Sequence, residues 1–455
     1  MPRRSRDNLP LKSVWDEHLL SSDLLSEKHR NKLWVSLIHQ KQDELISDIS
    51  MSNLGIPSVS REKISKEYKK FTTRVAERFE SARGDTTKLL VELQDGHRVE
   101  TVIMRHKGHA TVCISSQIGC QMGCKFCATG TMGIIGDLTS GEIIEQLVHA
   151  NSVTKVRNVV FMGMGEPLNN YENVKLAVDF MIDSRRFGLA ARHITVSTVG
   201  VVKSMHRMTM DMPTVNLALS LHAPNQDVRV RIVPAATAHK IDKLMEAVDR
   251  HIAARKQKYF EQKPQNVDGE NEKEKFNRHD SCVMIEYILI KDINDLEQHA
   301  HELAQLLLPR KFDVMLNLIP YNPTDVGEKF DPPTQESVDR FSGILKSYEI
   351  FTRVRREMGQ DIAGACGQLA LVKVGDSNEV IVAKIDDIED VVKRVKFSPS
   401  TKSSPRSSSN PRKDKFSENS FSLSNFFHST QGKAIIFTSF AILAGFIIMQ
   451  RRKKV

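Results

Sequence analysis

Between residues 110 and about 360, short apolar runs alternate with amphipathic segments, and this pattern constrains the fold more than any other feature of the chain. The apolar runs predict buried strands, and the segments between them have helical spacing. Strands that alternate with helices form a parallel sheet, either open or closed as a barrel. We therefore predict an α/β fold with its chemistry at the carboxyl ends of the strands. The predicted strands are RNVVFMG, RHITVSTVG, TVNLALSLH, CVMIEYILI and DVMLNLIP, and the predicted helices include SGEIIEQLVHA and LEQHAHELAQLLL.

The N-terminal part of the chain has a different pattern. From residue 11 to about residue 80, apolar residues recur at helical spacing, as in SEKHRNKLWVSLIHQ and EKISKEYKKFTTRVAERFE. The next stretch, TKLLVELQDGHRVETVIM, predicts a hairpin, because two alternating runs flank an Asp-Gly turn. We interpret residues 1–100 as a small accessory domain that is helical and ends in this hairpin. Basic residues between Arg61 and Arg78 suit either a solvated helix face or a surface that faces phosphates.

Two polar stretches and the charge distribution set limits on the folded body. Residues 255–281 are charged and predict an exposed insertion. Residues 398–433, rich in Ser, Pro and basic residues, predict a linker. The formal net charge is +9, but ten Lys or Arg and only two acidic residues lie from Phe397 onward. The preceding residues carry 55 basic and 54 acidic side chains, so the basic pI describes the tail and does not by itself indicate nucleic-acid binding.

The C-terminal residues predict a membrane anchor. Residues 434–450, AIIFTSFAILAGFIIMQ, carry no charge, and they lie between Lys433 and the basic end at 451–455. A spanning helix needs roughly 17–25 residues, so this run predicts one transmembrane helix, although a packed or interfacial helix has the same composition. We expect a cytoplasmic catalytic body anchored to the mitochondrial outer membrane or the endoplasmic reticulum. A soluble cytoplasmic protein is the alternative.

Four of the six cysteines lie within CISSQIGCQMGCKFC, residues 113–127. Clustered cysteines in so long a chain suggest metal or redox chemistry, not a disulfide scaffold. Cys120, Cys124 and Cys127 have C-x3-C-x2-C spacing on a loop after a predicted strand. Thiolates bind zinc or iron–sulfur clusters, but a structural zinc site closes with four ligands, and no fourth Cys or His has zinc-ribbon spacing. Three cysteines instead leave one iron of a [4Fe–4S] cluster open to a small molecule.

Further motifs follow along the chain in a fixed order: VETV, CISSQIGC, GMGEPLNN, VSTVGVV, SLHAPN, NLIPYNP and DIAGACGQL. The cysteine spacing, with Phe126 between the last two cysteines, resembles the cluster loop of radical S-adenosylmethionine (SAM) enzymes. Together the motifs closely resemble the RlmN/Cfr family of RNA adenine methyltransferases, from about residue 30 to about residue 372. The resemblance implies a partial (β/α) radical-SAM barrel over residues 101–372, a C-terminal extension of this core at 373–397, and a [4Fe–4S] cluster and SAM as cofactors.

The resemblance also implies a reaction that a radical route makes feasible. Adenine carbon-2 is a poor nucleophile, so polar methyl transfer from SAM should fail there. In the implied scheme, one SAM methylates Cys366, and a second SAM, cleaved at the cluster, supplies a radical that removes a hydrogen from the new methyl group. The resulting carbon adds to adenine, Glu100 accepts a proton from the RNA-linked intermediate, and Cys113 releases the product by forming a disulfide. The alternative interpretation makes both cysteines ordinary core residues and Glu100 a surface strand residue.

The resemblance assigns the SAM contacts to the ends of predicted strands. Gly165 lets the backbone approach a ligand closely, and Glu166 can accept the amino group of the methionine part of SAM. The other matching positions are Ser197, Ser220, Leu221, His222 and Asn322. Cys282 matches no motif, so we predict that it is structural.

The implied product is 2-methyladenine in ribosomal RNA, transfer RNA or both. We expect a monomer that uses an electron donor such as flavodoxin or ferredoxin. Methylation at adenine carbon-8, which the Cfr branch performs with the same cysteines, is an alternative that the motifs do not separate. A membrane-tethered relative without activity and a zinc protein are two further hypotheses.

Overall fold

The computed structural model describes residues 4, 9, 11–16, 24–39, 51–261, 283–324, 329–356 and 358–369. The predicted extension at 373–397, the linker at 398–433, the transmembrane helix at 434–450 and Cys282 lie outside the described residues. Within the described ranges, no helix combines the length and the apolar character needed to span a bilayer.

A mixed sheet organises the described part of the chain. Its ten strands are β3 Thr73–Glu80, β4 Thr86–Leu93, β5 Arg98–His106, β6 His109–Cys113, β9 Val156–Phe161, β10 Ile194–Thr198, β11 Asn216–Ser220, β12 Val283–Leu289, β13 Val314–Pro320 and β14 Thr352–Val354. Their order across the sheet is β14-β13-β12-β11-β10-β9-β6-β5-β4-β3. The strands from β14 to β6 are parallel, and β5, β4 and β3 continue the sheet antiparallel. This confirms the predicted partial (β/α) barrel.

Two short antiparallel strands, β7 Gln117–Cys120 and β8 Gly133–Asp137, flank the cysteine loop, and two-residue strands β1 Lys12–Ser13 and β2 Tyr68–Lys69 pair separately. Helices connect the consecutive parallel strands from β9 onward. The helices are α1 Glu27–His39, α2 Ser58–Glu67, α3 Ala128–Thr131, α4 Ser140–Val153, α5 Tyr171–Ile182, α6 Val202–Asp211, α7 Gln226–Ile232, α8 Ile241–Glu261, α9 Glu297–Leu307 and α10 Gln335–Ser347. A capping box between Thr139 and Glu142 fixes the start of α4.

The N-terminal segment packs against α4 and α5. The indole of Trp34 lies edge-on to the ring of Phe180, with centroids 5.0 Å apart, and Trp15 contacts the same ring. The buried carboxylate of Glu145 on α4 accepts hydrogen bonds from the Ser13 hydroxyl and from the backbone N–H of Thr72. The predicted domain boundary at residue 100 falls inside β5, because the hairpin continues the same sheet.

The prediction of helix from residue 11 to about residue 80 was wrong at its end. α2 ends at Glu67, and residues 73–80 form strand β3. Phe71, Val75 and Phe79 recur four residues apart, which is a helical spacing. Pairing with β4, with a bulge at Val75, decides in favour of the strand.

The prediction of an exposed insertion at 255–281 was wrong for its first residues. α8 continues through Glu261, and the side chain of Arg255 is buried. Its guanidinium donates to the carbonyl of Val215 at 3.3 Å and to the side-chain oxygen of Asn216 at 2.7 Å. The charged residue therefore belongs to the packed face of the helix, and residues 262–281 lie outside the described residues.

The strand register collects polar residues on one face of the sheet. Lys88 lies opposite Val102, Val102 opposite Cys113, and Cys113 opposite Val160 on β9. Because residues two apart in a strand face the same side, Glu100 shares this face with Cys113. The same rule and the register of the following strands add further polar residues to this face: Ser197, Ser220, Glu286 and Asn317.

Candidate active site

A cavity lies at the carboxyl ends of the parallel strands. It contains about 920 Å³ not filled by protein atoms, part of it open to solvent. Most of the predicted site residues line its wall: Cys120, Cys124, Cys127, Gly165, Glu166, Ser197, Ser220, His222 and Cys366. The wall does not include Glu100, Cys113, Leu221 or Asn322. The cavity therefore joins the cysteine loop, the glycine-containing loop and Cys366 in one site.

The three loop cysteines are held by short local structure. Cys120 ends β7, and Cys127 is the N-cap residue of α3. The backbone N–H of Cys127 donates to the carbonyl of Cys124 at 3.1 Å, which closes a tight turn between them. The ring of Phe126 packs edge-on against the imidazole of His222, with centroids 4.9 Å apart. The loop thus packs against the segment that follows β11 and carries the predicted SAM contact His222.

The three loop cysteines are the type of donor that binds metals and iron–sulfur clusters. Burial raises the pKa of Cys120 to about 12 and raises the pKa values of Cys124 and Cys127, because a thiolate in this cavity loses its hydration. Such thiols ionise when a metal takes the place of the proton. In the part of the chain that the structure describes, no three or more His, Cys, Asp and Glu side chains converge on one ion position. A [4Fe–4S] cluster needs no such convergence, because each thiolate binds a different iron.

The loop after β9 brings backbone and carboxylate to the cavity. Gly165 has φ +98°, and a Cβ there would lie 2.5 Å from Cβ of Gln117, so the close approach requires glycine. The carboxylate of Glu166 accepts hydrogen bonds from the N–H groups of Leu168 at 3.0 Å and Val199 at 2.9 Å. Burial raises the pKa of Glu166 to about 7. A carboxylate fixed in this way can accept an ammonium group from a ligand.

Replacing Gly163 with alanine should destabilise the protein. The new Cβ would lie 2.7 Å from the carbonyl oxygen of Ile114. The Gly163 N–H donates to the same oxygen, so backbone atoms fix both sides of this contact. We expect a loss of about 1–3 kcal/mol in the free energy of unfolding, measured by urea denaturation. Gly343→Ala on α10 is the matched control, because no atom lies within 4 Å of its added Cβ. Equal stability of the two variants would contradict the close approach.

Polar groups at the ends of β10 and β11 are fixed by hydrogen bonds. The hydroxyls of Ser197 and Ser220 lie 3.2 Å apart. His222 has a left-handed backbone with φ 60°, and its Nδ1 accepts the N–H of Ile288 at 3.1 Å. Burial lowers the pKa of His222 to about 3, so the imidazole is neutral. Leu221, between these residues, is buried in the core.

Sequence reasoning missed Arg229, a buried guanidinium behind these strand ends. It donates to the carbonyls of Leu221 at 3.0 Å, His239 at 3.0 Å and Val199 at 2.6 Å. Desolvation lowers the pKa of Arg229 to about 10. The residue connects the loops after β10 and β11, and the sequence offers no signal for it because α7 shows only an ordinary pattern of apolar and basic residues.

Residues 355–369, here called the Cys366 loop, follow β14 and reach the cavity. The carbonyl of Gly367 accepts the N–H of Ala128, at the start of α3, at 2.8 Å. The side-chain amide of Asn322 donates to the carbonyl of Cys366 at 3.4 Å. The side chain of Cys366 is accessible from the cavity, and desolvation raises the pKa of its thiol, although the guanidinium of Arg355 opposes this shift. The loop therefore presents a reachable thiol beside the cysteine loop.

Cys113 and Glu100 lie outside the cavity wall, on strands β6 and β5. Cys113 ends β6 and is buried, and burial together with the charge of Cys366 raises the pKa of the Cys113 thiol to about 12. Both cysteines are free thiols. Glu100 on β5 is buried and forms an ion pair with Lys88 at 3.0 Å.

Glu286 is a second residue that sequence reasoning missed. Its Oε1 accepts the side-chain N–H of Asn317 at 2.9 Å, and its buried Oε2 has no hydrogen-bond partner among the described residues. Burial raises the pKa of Glu286, and Arg355 opposes this shift. Both residues line the cavity. The signal was available, because an acidic residue in the middle of an apolar strand is costly unless a partner or ligand meets it.

A partial barrel with an open three-cysteine loop facing a cavity defines a radical SAM enzyme. The model of the Radical SAM superfamily matches residues 114–255. The crystal structure of a radical SAM methyltransferase from Sphaerobacter thermophilus superposes with a TM-score of 0.66 at 32% identity. The match covers 79% of this chain and 99% of that chain.

Curated relatives give the family within this class. The chain is 42% identical over 294 residues to the "Dual-specificity RNA methyltransferase RlmN 1" of Myxococcus xanthus. The aligned region covers 64% of this chain and 74% of the relative. It is 35% identical over 366 residues to the "Ribosomal RNA large subunit methyltransferase N" of Nitrosopumilus maritimus. Here the aligned region covers 78% of this chain and 95% of the relative. The chain belongs to the RlmN family and is a radical SAM RNA methyltransferase, which confirms the family predicted from the motifs.

Proposed function

We propose that the protein methylates carbon-2 of an adenine in ribosomal RNA, transfer RNA or both, through a methylated Cys366 and a resolving Cys113. The observation that carries the proposal is a pair of free thiols outside the cluster loop. Cys366 is reachable from the cavity, and Cys113 is close enough for the charge of Cys366 to raise its pKa. A methyl transfer in one polar step would need neither thiol.

The proposed cofactors are a [4Fe–4S] cluster and SAM, and the cavity wall suits both. Cys120, Cys124 and Cys127 would hold the cluster, and Gly165 and Glu166 the methionine end of SAM. The remaining proposed SAM contacts are Ser197, Ser220, Leu221, His222 and Asn322. When bound, the two cofactors supply a methyl group and an organic radical that removes hydrogen from carbon. An electron donor such as flavodoxin or ferredoxin would provide the electron for SAM cleavage.

The side chains of this chain carry the remaining steps. The sulfur of Cys366 loses its proton and takes the methyl group. After one hydrogen is removed, the sulfur-bound carbon bonds to adenine. The adduct then gives up one electron, which returns to the oxidised electron donor, and a proton, which Glu100 accepts. The thiolate of Cys113 then attacks the Cys366 sulfur. A disulfide forms as the sulfur–carbon bond breaks, and the departing carbon takes the electron pair and a proton to become the methyl group.

The experiment that tests the proposed function is nucleoside mass spectrometry. Purified holoenzyme is incubated with SAM, a reducing system and unmodified ribosomal or transfer RNA, and the RNA is digested to nucleosides. We expect 2-methyladenosine at the retention time of the synthetic standard. Only 8-methyladenosine would favour the Cfr-like alternative, and no methyladenosine of either kind would contradict the proposal.

We also propose that the C-terminal tail attaches the enzyme to an intracellular membrane. The support is the uncharged run at 434–450 with basic residues on both sides. A soluble reporter carrying residues 398–455 should sediment with membranes and resist carbonate extraction. The matched control replaces two central apolar residues, Ile442 and Leu443, with Lys, which disfavours insertion. A reporter that stays soluble without these substitutions would contradict the anchor.

A further inference from the structure

Lys88 is a buried lysine that the proposed reaction has not yet used. Its side chain is 10% exposed, and its ammonium lies 3.0 Å from a carboxylate oxygen of Glu100. The same ammonium donates to the carbonyl oxygen of Ala363 at 3.3 Å and lies 5.2 Å from the ring centre of Phe79. Burying a lysine is costly unless its charge is compensated. The ammonium therefore bridges the proposed proton acceptor and the Cys366 loop.

The strand register explains why these groups meet. Lys88 lies opposite Val102, and Glu100 lies opposite Leu90, so the two charged residues are diagonal neighbours on one face of β4 and β5. Cys113 on β6, the strand on the other edge of β5, lies opposite Val102 and therefore shares this face. The ammonium, the carboxylate and the resolving thiol thus lie on the same face of three neighbouring strands.

The contact at Ala363 lies at a strained point of the Cys366 loop. Ala363 has φ 48°, a left-handed conformation that is unfavourable for a residue with a Cβ. Other contacts hold the same part of the loop on the hairpin: the carboxylate of Asp361 accepts the N–H of Ala82 at 2.7 Å, and a Cβ on Gly359 would lie 2.6 Å from the side chain of Thr86. The loop is therefore held by several contacts, and the ammonium of Lys88 is the one that also reaches Glu100.

We propose that Lys88 is a positioning residue that fixes the Glu100 carboxylate and holds it in register with the loop that carries Cys366. This inference rests on the proposed function. A buried carboxylate without a cation favours its protonated form, which cannot accept a proton. Loss of the Lys88 charge should therefore impair the step after adduct formation. Methylation of Cys366 should persist, because other contacts hold the loop.

The test compares Lys88→Met and Lys88→Arg as holoenzymes. Methylation of Cys366 is read by peptide mass spectrometry, the covalent RNA adduct by a denaturing gel with and without ribonuclease, and the product by nucleoside analysis. We expect Lys88→Met to carry methylated Cys366, to retain RNA covalently and to lose about 100-fold or more in product formation, the scale of a lost general base. Lys88→Arg keeps the charge and should restore release. Arg98→Met, which breaks partly exposed pairs with Glu92 on β4 and Glu77 on β3, is the matched control and should stay within about threefold of wild type.

A double-mutant cycle separates positioning from general stability. If Lys88 acts through Glu100, then Lys88→Met combined with Glu100→Gln should lose no more activity than Glu100→Gln alone. Suppose that Cys113→Ala and Glu100→Gln trap RNA as expected. Additive losses in the double mutant would then overturn the proposal, and so would Lys88→Met protein that releases product at the wild-type rate. If those two variants trap no RNA either, the proposed function has failed and the inference falls with it. Should Lys88→Met fail to fold, Lys88→Gln takes its place in the same cycle with the same outcomes.

Discussion

Cys366→Ala protein should make no methylated RNA and carry no RNA, whereas Cys113→Ala protein should purify with RNA covalently attached. The two thiols act at different steps of the proposed reaction. Cys366 must take the methyl group before any carbon can bond to RNA, so its loss prevents the adduct. Cys113 acts only on the adduct, by attacking the Cys366 sulfur, so its loss leaves enzyme and RNA joined. Both variants should lose at least about 10³-fold in product, because each removes a group that forms or breaks a covalent bond.

A denaturing gel with and without ribonuclease reads this difference directly. Glu100→Gln should resemble Cys113→Ala, since its proton transfer also follows adduct formation. Cys282→Ala is the matched control, as a cysteine without a predicted role in the reaction, and should turn over normally without bound RNA. Cys113→Ala protein with normal turnover and no bound RNA would leave Cys113 as a core residue and remove the resolving step.

Cys124→Ala protein should lose the cluster and SAM cleavage together. Three thiolates are the smallest set that holds a [4Fe–4S] cluster with one open iron, so two remaining ligands should not retain it. After anaerobic reconstitution, we expect iron content and charge-transfer absorbance to fall to background and SAM-derived 5′-deoxyadenosine to vanish.

The matched control for the cluster is Met122→Leu, in the same loop. Met122 is buried, and the substitution nearly conserves volume, so the loop should keep its packing and its iron. A Cys124→Ala protein with full iron content and full SAM cleavage would show that Cys124 is not a ligand. Stoichiometric zinc in place of iron in the wild-type protein would support the hypothesis of a zinc site.

The sequence predicted the barrel and most of the cavity wall because both depend on local patterns. The spacing of apolar residues along the chain predicts the strands and the amphipathic helices. The cysteines from Cys120 to Cys127 and Gly165 lie in short motifs with fixed spacing. Strand β3 was missed because the apolar spacing of residues 71–79 fits a helix as well, and only pairing with β4 resolves it.

The residues that sequence reasoning missed depend on contacts between distant segments. Arg229 is defined by carbonyls from three different loops, and no pattern in α7 indicates them. The bridge from Lys88 to Glu100 and Ala363 requires both the hairpin register and the position of the Cys366 loop. Such pairings follow from the fold as a whole, so a single sequence does not contain a separate signal for them.

The central claim is that the methyl carbon passes through Cys366, and deuterium counting tests it most directly. The enzyme is supplied over several turnovers with SAM whose methyl group carries three deuterium atoms, and the methyladenosine and 5′-deoxyadenosine are analysed by mass spectrometry. Removal of one hydrogen from the methyl group on Cys366 predicts two deuterium atoms in the product methyl group and one in 5′-deoxyadenosine. A product methyl group that keeps all three deuterium atoms would mean direct transfer from SAM and would contradict the account.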